Sequence, residues 1–255
     1  MIEMTNEEYH SNLTHLSSSA LKLLYKDTDK FYQQYVLGNW ENKKSGALEL
    51  GTATHTAILE PHLFDSSVAV FSGNRRSGKA WDEFMLQNPK KTLLTLPEKE
   101  KLDALIAAYN NSETAKSLIA GCKYEHTIMT DLYDIPSKCR CDGINIDKKY
   151  IVDVKTTGYD SSTETFRDTV EDLCYDLSAE FYRRIAQKQF GHDFDFYFIV
   201  LSKSDFKCRV FKTSKATFLN GHHKIMSAID TYKHFKLTGE FKKDILVVDE
   251  EVTEI

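Results

Sequence analysis

The sequence is poor in the residues that mark fibrous or unstructured chains. Its 255 residues include only 4 Pro and 11 Gly, which excludes a collagen-like or low-complexity chain. They also include 15 Phe and 13 Tyr, enough aromatic side chains to fill a hydrophobic core, so the chain is not a disordered one. A chain of this length suits one or two compact domains.

Long hydrophobic runs are also missing. A membrane span needs roughly 20 consecutive apolar residues, and the sequence has no such stretch. The first eight residues are acidic and lack the basic-then-apolar order of a signal peptide. We therefore expect a cytosolic protein with no membrane partner.

Cysteine is scarce and scattered: there are 5, an odd number, and only Cys139 and Cys141 lie close together. A disulfide framework is not expected in such a chain, and a zinc or iron–sulfur site needs closer thiolate spacing. Two cysteines with period-two spacing in a strand share one face. We expect Cys139 and Cys141 to be core thiols rather than metal ligands.

The charge balance has no basic excess. The net charge is -5, which argues against a broad basic face that coats nucleic acid through its phosphates. Contacts with nucleic acid would then be local, at a metal site and at a few basic loops, because local basic residues can act within an acidic total.

Hydrophobic periodicity predicts an α/β (α+β) fold in one domain, residues 1–255, with a mixed sheet flanked by helices. Residues 1–121 are predicted as its helical part and residues 122–255 as its α/β core. Helices are predicted after Ser17, over 46–60, around Trp81, from Pro97 and up to Gly121, and over 161–190 and 214–237. Strands are predicted over 124–134, 138–146, 150–156, 194–201 and 207–212, the first three as an antiparallel meander.

The third predicted strand carries two charges on one face. Alternation places Asp153 and Lys155 on the same side, with Val152 and Val154 on the other. Asp142 precedes the hairpin turn and can stand beside Asp153. An Asp-x-Lys pair alone is typical of a solvated strand face, but paired carboxylates also suit Mg²⁺. Lys155 could then orient or deprotonate a metal-bound water or stabilise phosphate charge, which suits hydrolysis of a phosphodiester.

His55 and Glu125 are further candidates. Small residues at Gly51, Ala53 and Ala57 would let their helix approach the sheet, so His55 could supply a nitrogen ligand to the same cation. Taken alone, it is more simply a buried histidine with satisfied ring nitrogens. Glu125 fits an outer metal ligand and a surface acid at the start of a strand equally well.

The ordered motifs resemble one nuclease family through nearly the whole chain. They are similar to those of the nuclease domain of RecE-type exodeoxyribonuclease VIII, found in phages and prophages, in the RecB-like branch of the PD-(D/E)xK superfamily. The matching segments are Leu16 to Lys22, Gly51-x-x-x-His55 through Pro61, Arg75-Arg76-x-Gly78-Lys79-x-Trp81, Arg140-x-Asp142, Asp153-x-Lys155-Thr156-Thr157 and Tyr175 to Tyr182. The set is much more specific than any single member.

The resemblance implies a restriction-endonuclease-like core and a magnesium-dependent exonuclease that degrades linear double-stranded DNA 5′ to 3′ and leaves 3′ overhangs. The implied metal ligands are His55, Asp142, Asp153 and the carbonyl of Val154, with Lys155 catalytic and Mn²⁺ as a substitute metal. It also implies a RecT-like annealing protein as partner in recombination and repair, a homo-oligomer such as a ring-shaped tetramer, and the cytoplasm of a bacterial host cell. The family usually carries Gln where this sequence has Ser178, whereas Tyr182 fits its motif.

Basic residues are the candidates for DNA contact. Arg75, Arg76 and Lys79 in the basic segment, with Arg140 of the Arg140-x-Asp142 motif, could hold a 5′ phosphate or the DNA backbone because guanidinium forks match phosphate oxygens. A flexible charged loop is an equally good interpretation of the basic segment. Trp81 beside it is expected to anchor the core.

Three alternatives remain. A related RecB-like nuclease could differ in end preference. A CRISPR-associated nuclease of the same superfamily would need cysteines for an iron–sulfur cluster, and residues 233–255 have none. A catalytically impaired module that binds DNA or protein is favoured only by Ser178, because uncompensated acids in a cleft are costly without a metal.

Overall fold

The computed structural model describes residues 4–40 and 45–241. Within these ranges the chain forms eleven α-helices and seven β-strands. The helices are α1 (Asn6–Ser11), α2 (Ser18–Lys26), α3 (Thr28–Phe31), α4 (Gly46–Leu59), α5 (Phe64–Ser67), α6 (Lys79–Gln87), α7 (Leu96–Asn110), α8 (Glu113–Ile119), α9 (Thr163–Asp172), α10 (Tyr175–Phe190) and α11 (Lys215–Thr238). The strands are β1 (Val68–Phe71), β2 (Thr92–Thr95), β3 (Lys123–Leu132), β4 (Ile135–Asn145), β5 (Tyr150–Thr157), β6 (Asp195–Ser202) and β7 (Cys208–Lys212).

Five strands form a mixed sheet in the order β3-β4-β5-β6-β7. The first three are the predicted antiparallel meander. β6 lies parallel to β5, from Tyr150 opposite Asp195 to Thr157 opposite Ser202, because α9 and α10 form the crossover between them. The antiparallel pairing of β7 with β6 completes a mixed α/β fold, as predicted.

Both faces of the sheet are buried. One face packs under α2, α10 and α11, where Ile151 joins a large apolar cluster that includes the fully buried Cys139 and Cys141. Val152 and Val154 project to the opposite face and pack with residues of α4, α7 and α8. The cysteine prediction is thus confirmed, and the charged side of β5 lies inside the fold rather than on a solvated strand face.

Helices α10 and α11 meet closely at Gly221. A Cβ atom built at this glycine would lie 2.2 Å from the carbonyl oxygen of Asp176. Beside this contact, Lys224 Nζ lies 2.7 Å from Asp176 Oδ2. This packing holds the first turn of α10 against the sheet.

One expectation about the elements was wrong, and one small sheet was not expected. The long helix predicted over 161–190 is broken, because Cys174 adopts a left-handed conformation (φ 48°) and Leu173, counted in the apolar stripe, is 50% exposed. The N-terminal part also contains a small parallel sheet, β1 with β2. Four-residue strands are too short to show a period of their own. Trp81 is 4% exposed, which confirms it as a core residue.

None of the helices in residues 4–40 and 45–241 combines the length and the hydropathy that a membrane crossing requires.

Candidate active site

Strand β5 brings Asp153 and Lys155 to one side of the sheet. Lys155 Nζ lies 2.6 Å from Asp153 Oδ2, and Asp153 is only 5% exposed. The ammonium of Lys155 therefore compensates the charge of this buried carboxylate directly.

Asp142 stands beside this pair on β4. Its Oδ2 accepts a hydrogen bond of 2.7 Å from the backbone N–H of Val154 and lies 3.6 Å from His55 Nδ1. Burial raises the pKa of Asp142; the neighbouring His55 opposes this effect and the charge of Asp153 adds to it. The carboxylates are therefore close enough to disfavour each other's charge.

Lys155 keeps its charge in this setting. Burial lowers its pKa, but the carboxylates of Asp153 and Asp142 outweigh burial, and the pKa of Lys155 lies above its usual value. At neutral pH the side chain is an ammonium cation. That state suits it to stabilise phosphate charge rather than to accept a proton.

His55 reaches the sheet because its helix comes close to β5. Ser45 caps α4 by accepting a hydrogen bond from the N–H of Leu48, and at Gly51 a Cβ atom would lie 3.4 Å from Thr156 Oγ1. His55 follows Gly51 by one turn on the same helix face. The small residues therefore place the imidazole next to Asp142.

Three side chains gather as candidate metal ligands. Ligand atoms of His55, Glu125 and Asp142 all lie within 4.8 Å of one another. Glu125 takes a left-handed backbone conformation (φ 46°), and burial, followed by the charge of Asp142, raises its pKa to about 7. One imidazole with two carboxylates, beside the buried carboxylate of Asp153, fits a divalent cation.

This grouping differs in part from the expected ligand set. Glu125 joins His55 and Asp142 directly, whereas Asp153 is held by Lys155. The contact recorded for Val154 uses its amide N–H rather than its carbonyl. Metal ligation by Asp153 and by the Val154 carbonyl stays a prediction.

The candidate ligands line a groove of about 1520 Å³. Its walls come from the start of α2, from α4 and from β3 and β4, and they include His55, Glu125, Asp142 and Tyr182. Tyr182 lies on α10, and burial raises the pKa of its hydroxyl. Ser178, one turn earlier, is 9% exposed. A groove of this size can admit a polymer strand to the carboxylates.

The expected DNA-binding residues divide into two kinds. The side chain of Lys79 is 92% exposed, and Arg75 is also exposed. Arg76 is instead bound internally, with ion pairs to Glu49 and Glu98 and a 2.6 Å hydrogen bond to the carbonyl of Leu93. The guanidinium of Arg76 is therefore engaged by groups within the protein, whereas Arg75 and Lys79 are exposed to solvent.

Arg140 holds the N-terminal segment against the groove. It lies in the groove wall, donates to Thr127 Oγ1 at 3.2 Å and to Asn6 Oδ1 at 3.0 Å, and stacks over the ring of Tyr9 with 4.9 Å to the centroid. These bonds orient the guanidinium, and its role in DNA binding stays a prediction.

Sequence reasoning gave no role to Lys22 and Tyr175. Lys22 Nζ lies 5.0 Å and Lys155 Nζ 5.2 Å from the centre of the Tyr175 ring. Burial, with the charge of Lys155, lowers the pKa of Lys22 to about 8. Both residues lie in segments that carry the family resemblance, but nothing in their spacing shows that α2 and α10 meet at β5.

Comparison with solved structures supports the fold. A putative exonuclease from Eubacterium rectale is similar over 100% of this chain and 96% of its own, with a TM-score of 0.69 and 17% identity. Two other structures are more distant. An alkaline exonuclease from Laribacter hongkongensis has 11% identity and a TM-score of 0.40, over 90% of this chain and 93% of its own. A phage related exonuclease from Haemophilus somnus 129PT has 15% identity and a TM-score of 0.35, over 90% of this chain and 99% of its own. The first likeness shows a shared fold, and the other two are too weak to support an argument. No curated protein matches the sequence.

A family profile covers most of the chain. It is described as a PDDEXK-like domain of unknown function, DUF3799, and it matches residues 17–243, a range that contains every candidate ligand and Lys155. The family, the fold and the carboxylate–lysine site together indicate a nuclease, that is, a hydrolase, with a site suited to a divalent metal. The chain therefore belongs to the DUF3799 family of PDDEXK-like domains.

Proposed function

We propose that this protein is a magnesium-dependent exodeoxyribonuclease of the RecE type. It would degrade linear double-stranded DNA from the 5′ end and leave 3′ single-stranded overhangs. The observation that carries the proposal is that His55 and Asp142 meet at a groove, with the ion pair of Asp153 and Lys155 close to Asp142.

The residues have distinct parts in this proposal. His55, Asp142 and Asp153 would hold Mg²⁺ or Mn²⁺, with Glu125 and the Val154 carbonyl as further ligands. A bound divalent cation would supply Lewis acidity and an activated water. Lys155, charged at neutral pH, stabilises the negative charge that develops on the scissile phosphate.

DNA contacts around the site would be few and local. Arg75 and Lys79 are exposed beside α6, and Arg140 lies in the groove wall. These three would hold the backbone or the 5′ phosphate. An enzyme with a net charge of -5 is then expected to bind DNA much more weakly when the divalent cation is removed.

The proposed setting is recombination by strand annealing. The 3′ overhangs would be passed to a RecT-like annealing protein in the bacterial cytoplasm. Processive degradation would need an assembly around the DNA, and we propose a ring-shaped homo-oligomer such as a tetramer. The molecular mass measured with and without DNA tests the assembly separately from the chemistry.

The test of activity uses linear duplex DNA with a label at either the 5′ or the 3′ end. We expect immediate release of the 5′ label and late release of the 3′ label in Mg²⁺, with no release in EDTA. Linear DNA with 5′-phosphorylated ends should be degraded faster than closed circles. Equal loss of linear and circular DNA would replace the exonuclease with an endonuclease, and early loss of the 3′ label would reverse the proposed polarity.

A second candidate function is a nuclease fold that binds DNA without cutting it. It is favoured by Ser178, a short side chain where the resembling family usually has Gln. The same assay separates the two functions. Binding of the duplex with no nucleotide release in either Mg²⁺ or Mn²⁺ would support the second.

A further inference from the structure

A second pocket lies away from the active-site groove. Its volume is about 760 Å³, and it is formed by the β4–β5 turn, the end of β7 and the start of α11, with α10 behind it. Six basic residues line it: Lys148, Lys149, Arg183, Arg184, Lys212 and Lys215. Lys149 lies in the turn just before β5, four positions ahead of Asp153 in the sequence.

The acids of this pocket are already paired. Glu180 binds Arg183 and Arg184 at 2.8 and 2.6 Å, and Asp195 binds Lys212 at 2.8 Å. The remaining acid, Asp193, lies 3.0 Å from Arg183.

Three lysines of the pocket have no ion-pair partner among the described residues. No carboxylate among the residues that the structure describes forms an ion pair with Lys148, Lys149 or Lys215. Three ammonium groups without counter-charges therefore face one pocket in a protein whose net charge is -5. Such a local concentration of positive charge favours an anion.

Thr213 supplies an independent sign of a missing ligand. It lines the pocket and is 9% exposed, yet its Oγ1 is buried with no hydrogen-bond partner among the described residues. An unpaired buried hydroxyl costs about 1–3 kcal/mol. Because Thr213 lines the pocket, a ligand there could satisfy this hydroxyl if the side chain adopted another χ1 rotamer.

The backbone around the pocket is fixed. The N–H of Lys148 donates to Asn145 Oδ1 at 2.9 Å, and the N–H of Asp195 donates to the carbonyl of Lys149, also at 2.9 Å. On the other side, Ser214 caps the 24-residue helix α11, whose N-terminus adds a partial positive charge. The lysines thus project from a built frame rather than from a loose loop.

We propose that this pocket binds a phosphate group, supplied by the backbone of a nucleic-acid strand. Lysine ammonium groups, a hydroxyl donor and a helix N-terminus are the groups that proteins use for phosphate. This inference rests on the nuclease function proposed above: the pocket would hold the strand at a second point, separate from the site of cleavage. A free phosphate ion has the same chemistry and is the other source that the experiment must distinguish.

The main test compares two triple variants with equal charge. Lys148→Gln/Lys149→Gln/Lys215→Gln removes the unpaired lysines, and Lys30→Gln/Lys233→Gln/Lys236→Gln removes three exposed lysines outside both pockets. Fluorescence anisotropy of a labelled single-stranded oligonucleotide in EDTA reports binding without metal. We expect the pocket variant to bind about tenfold more weakly and to reduce the slope of log K against log salt by roughly 0.7, the contribution of one phosphate contact.

Thr213→Val tests the hydroxyl alone. The side chain keeps its shape, and the unpaired hydroxyl disappears, so the melting temperature should stay level or rise slightly. Oligonucleotide affinity should nevertheless fall about threefold. A purely structural role for Thr213 would change stability without changing affinity.

Inorganic phosphate distinguishes the two sources. At constant ionic strength, phosphate that raises the melting temperature of the wild type but not of the pocket variant supports a phosphate site. If the pocket variant also binds the oligonucleotide more weakly and the control variant does not, the bound phosphate belongs to a nucleic-acid strand. If the pocket variant binds the oligonucleotide as well as the wild type does, the ligand is the free phosphate ion. The proposal is overturned when the pocket variant matches the control variant in both oligonucleotide and phosphate binding.

Discussion

Two groups of charged side chains in this molecule have similar composition and opposite environments. In the N-terminal part, Arg76 lies between the carboxylates of Glu49 and Glu98. At the sheet, Lys155 lies beside Asp153 and near Asp142. Each group has two acids and one cation, so net charge alone does not distinguish them.

The hydrogen bonds do distinguish them. Glu98 Oε2 also accepts from the N–H of Thr95 at 2.8 Å, and Arg76 bonds a backbone carbonyl, so the N-terminal group is internally satisfied. Asp153 Oδ2 contacts Lys155 Nζ at 2.6 Å, but Asp142 and Glu125 lie near this pair, and burial and mutual repulsion raise the pKa of both. The first group can stabilise the fold unaided, whereas the second is suited to a bound cation.

The largest expected effect is loss of activity at the second group. Asp153→Asn keeps the side-chain volume and removes the charge, and Lys155→Met removes the cation that stabilises the phosphate. We expect nucleotide release to fall about 10³-fold or more in each variant, since such electrostatic stabilisation commonly supplies that factor. Measurement is by release of labelled nucleotides from linear duplex DNA in Mg²⁺.

Asp131→Asn is the matched control for Asp153→Asn. Asp131 is exposed on β3, so the same chemical change should leave activity within about twofold. Circular dichroism should show that all three variants keep the fold. Near-normal cleavage by either Asp153→Asn or Lys155→Met would remove these residues from the proposed site.

The opposite result is expected at the first group. Arg76→Met leaves Glu49 and Glu98 partly buried without their cation, which should lower the free energy of unfolding by about 3 kcal/mol. The activity of the folded fraction should change little. Arg75→Met is the control, because Arg75 is exposed and its replacement should leave stability within about 0.5 kcal/mol. Denaturant titration measures both variants, and equal stability of the two would contradict the structural role of Arg76.

The contrast between Arg75 and Arg76 also shows where sequence reasoning stops. Two adjacent arginines in a basic segment carry the same local signal, yet one is exposed and the other reaches acids 27 and 22 positions away. This pairing depends on how α4 and α7 pack together, and a local sequence pattern does not predict that packing. Lys22 was missed for the same reason, because it approaches Lys155 only when α2 packs across the sheet.

The features that could be predicted have a local cause. Alternation along β5 was enough to place Asp153 and Lys155 on one face, and small residues in α4 were enough to bring His55 to the sheet. The meander was predictable because its strands are long and joined by short turns. The break at Cys174 was not, since the left-handed conformation of a cysteine has no sequence signature.

The final prediction concerns Lys22, the second cation at the active site, and it sharpens the same comparison through pH. Carboxylates raise the pKa of Arg76 in spite of burial, whereas burial and Lys155 lower that of Lys22 to about 8. The unfolded lysine titrates near 10.4, so between pH 8 and 10.4 the unfolded state binds more protons and stability due to Lys22 rises with pH. The free energy of unfolding of the wild type, relative to Lys22→Met, should therefore increase by on the order of 3 kcal/mol across this window.

Denaturant titrations of both proteins at pH 7.5 and 10.5 measure the difference. A difference that does not vary with pH would show that Lys22 is neither desolvated nor repelled by Lys155, and that the active-site group has only one buried cation.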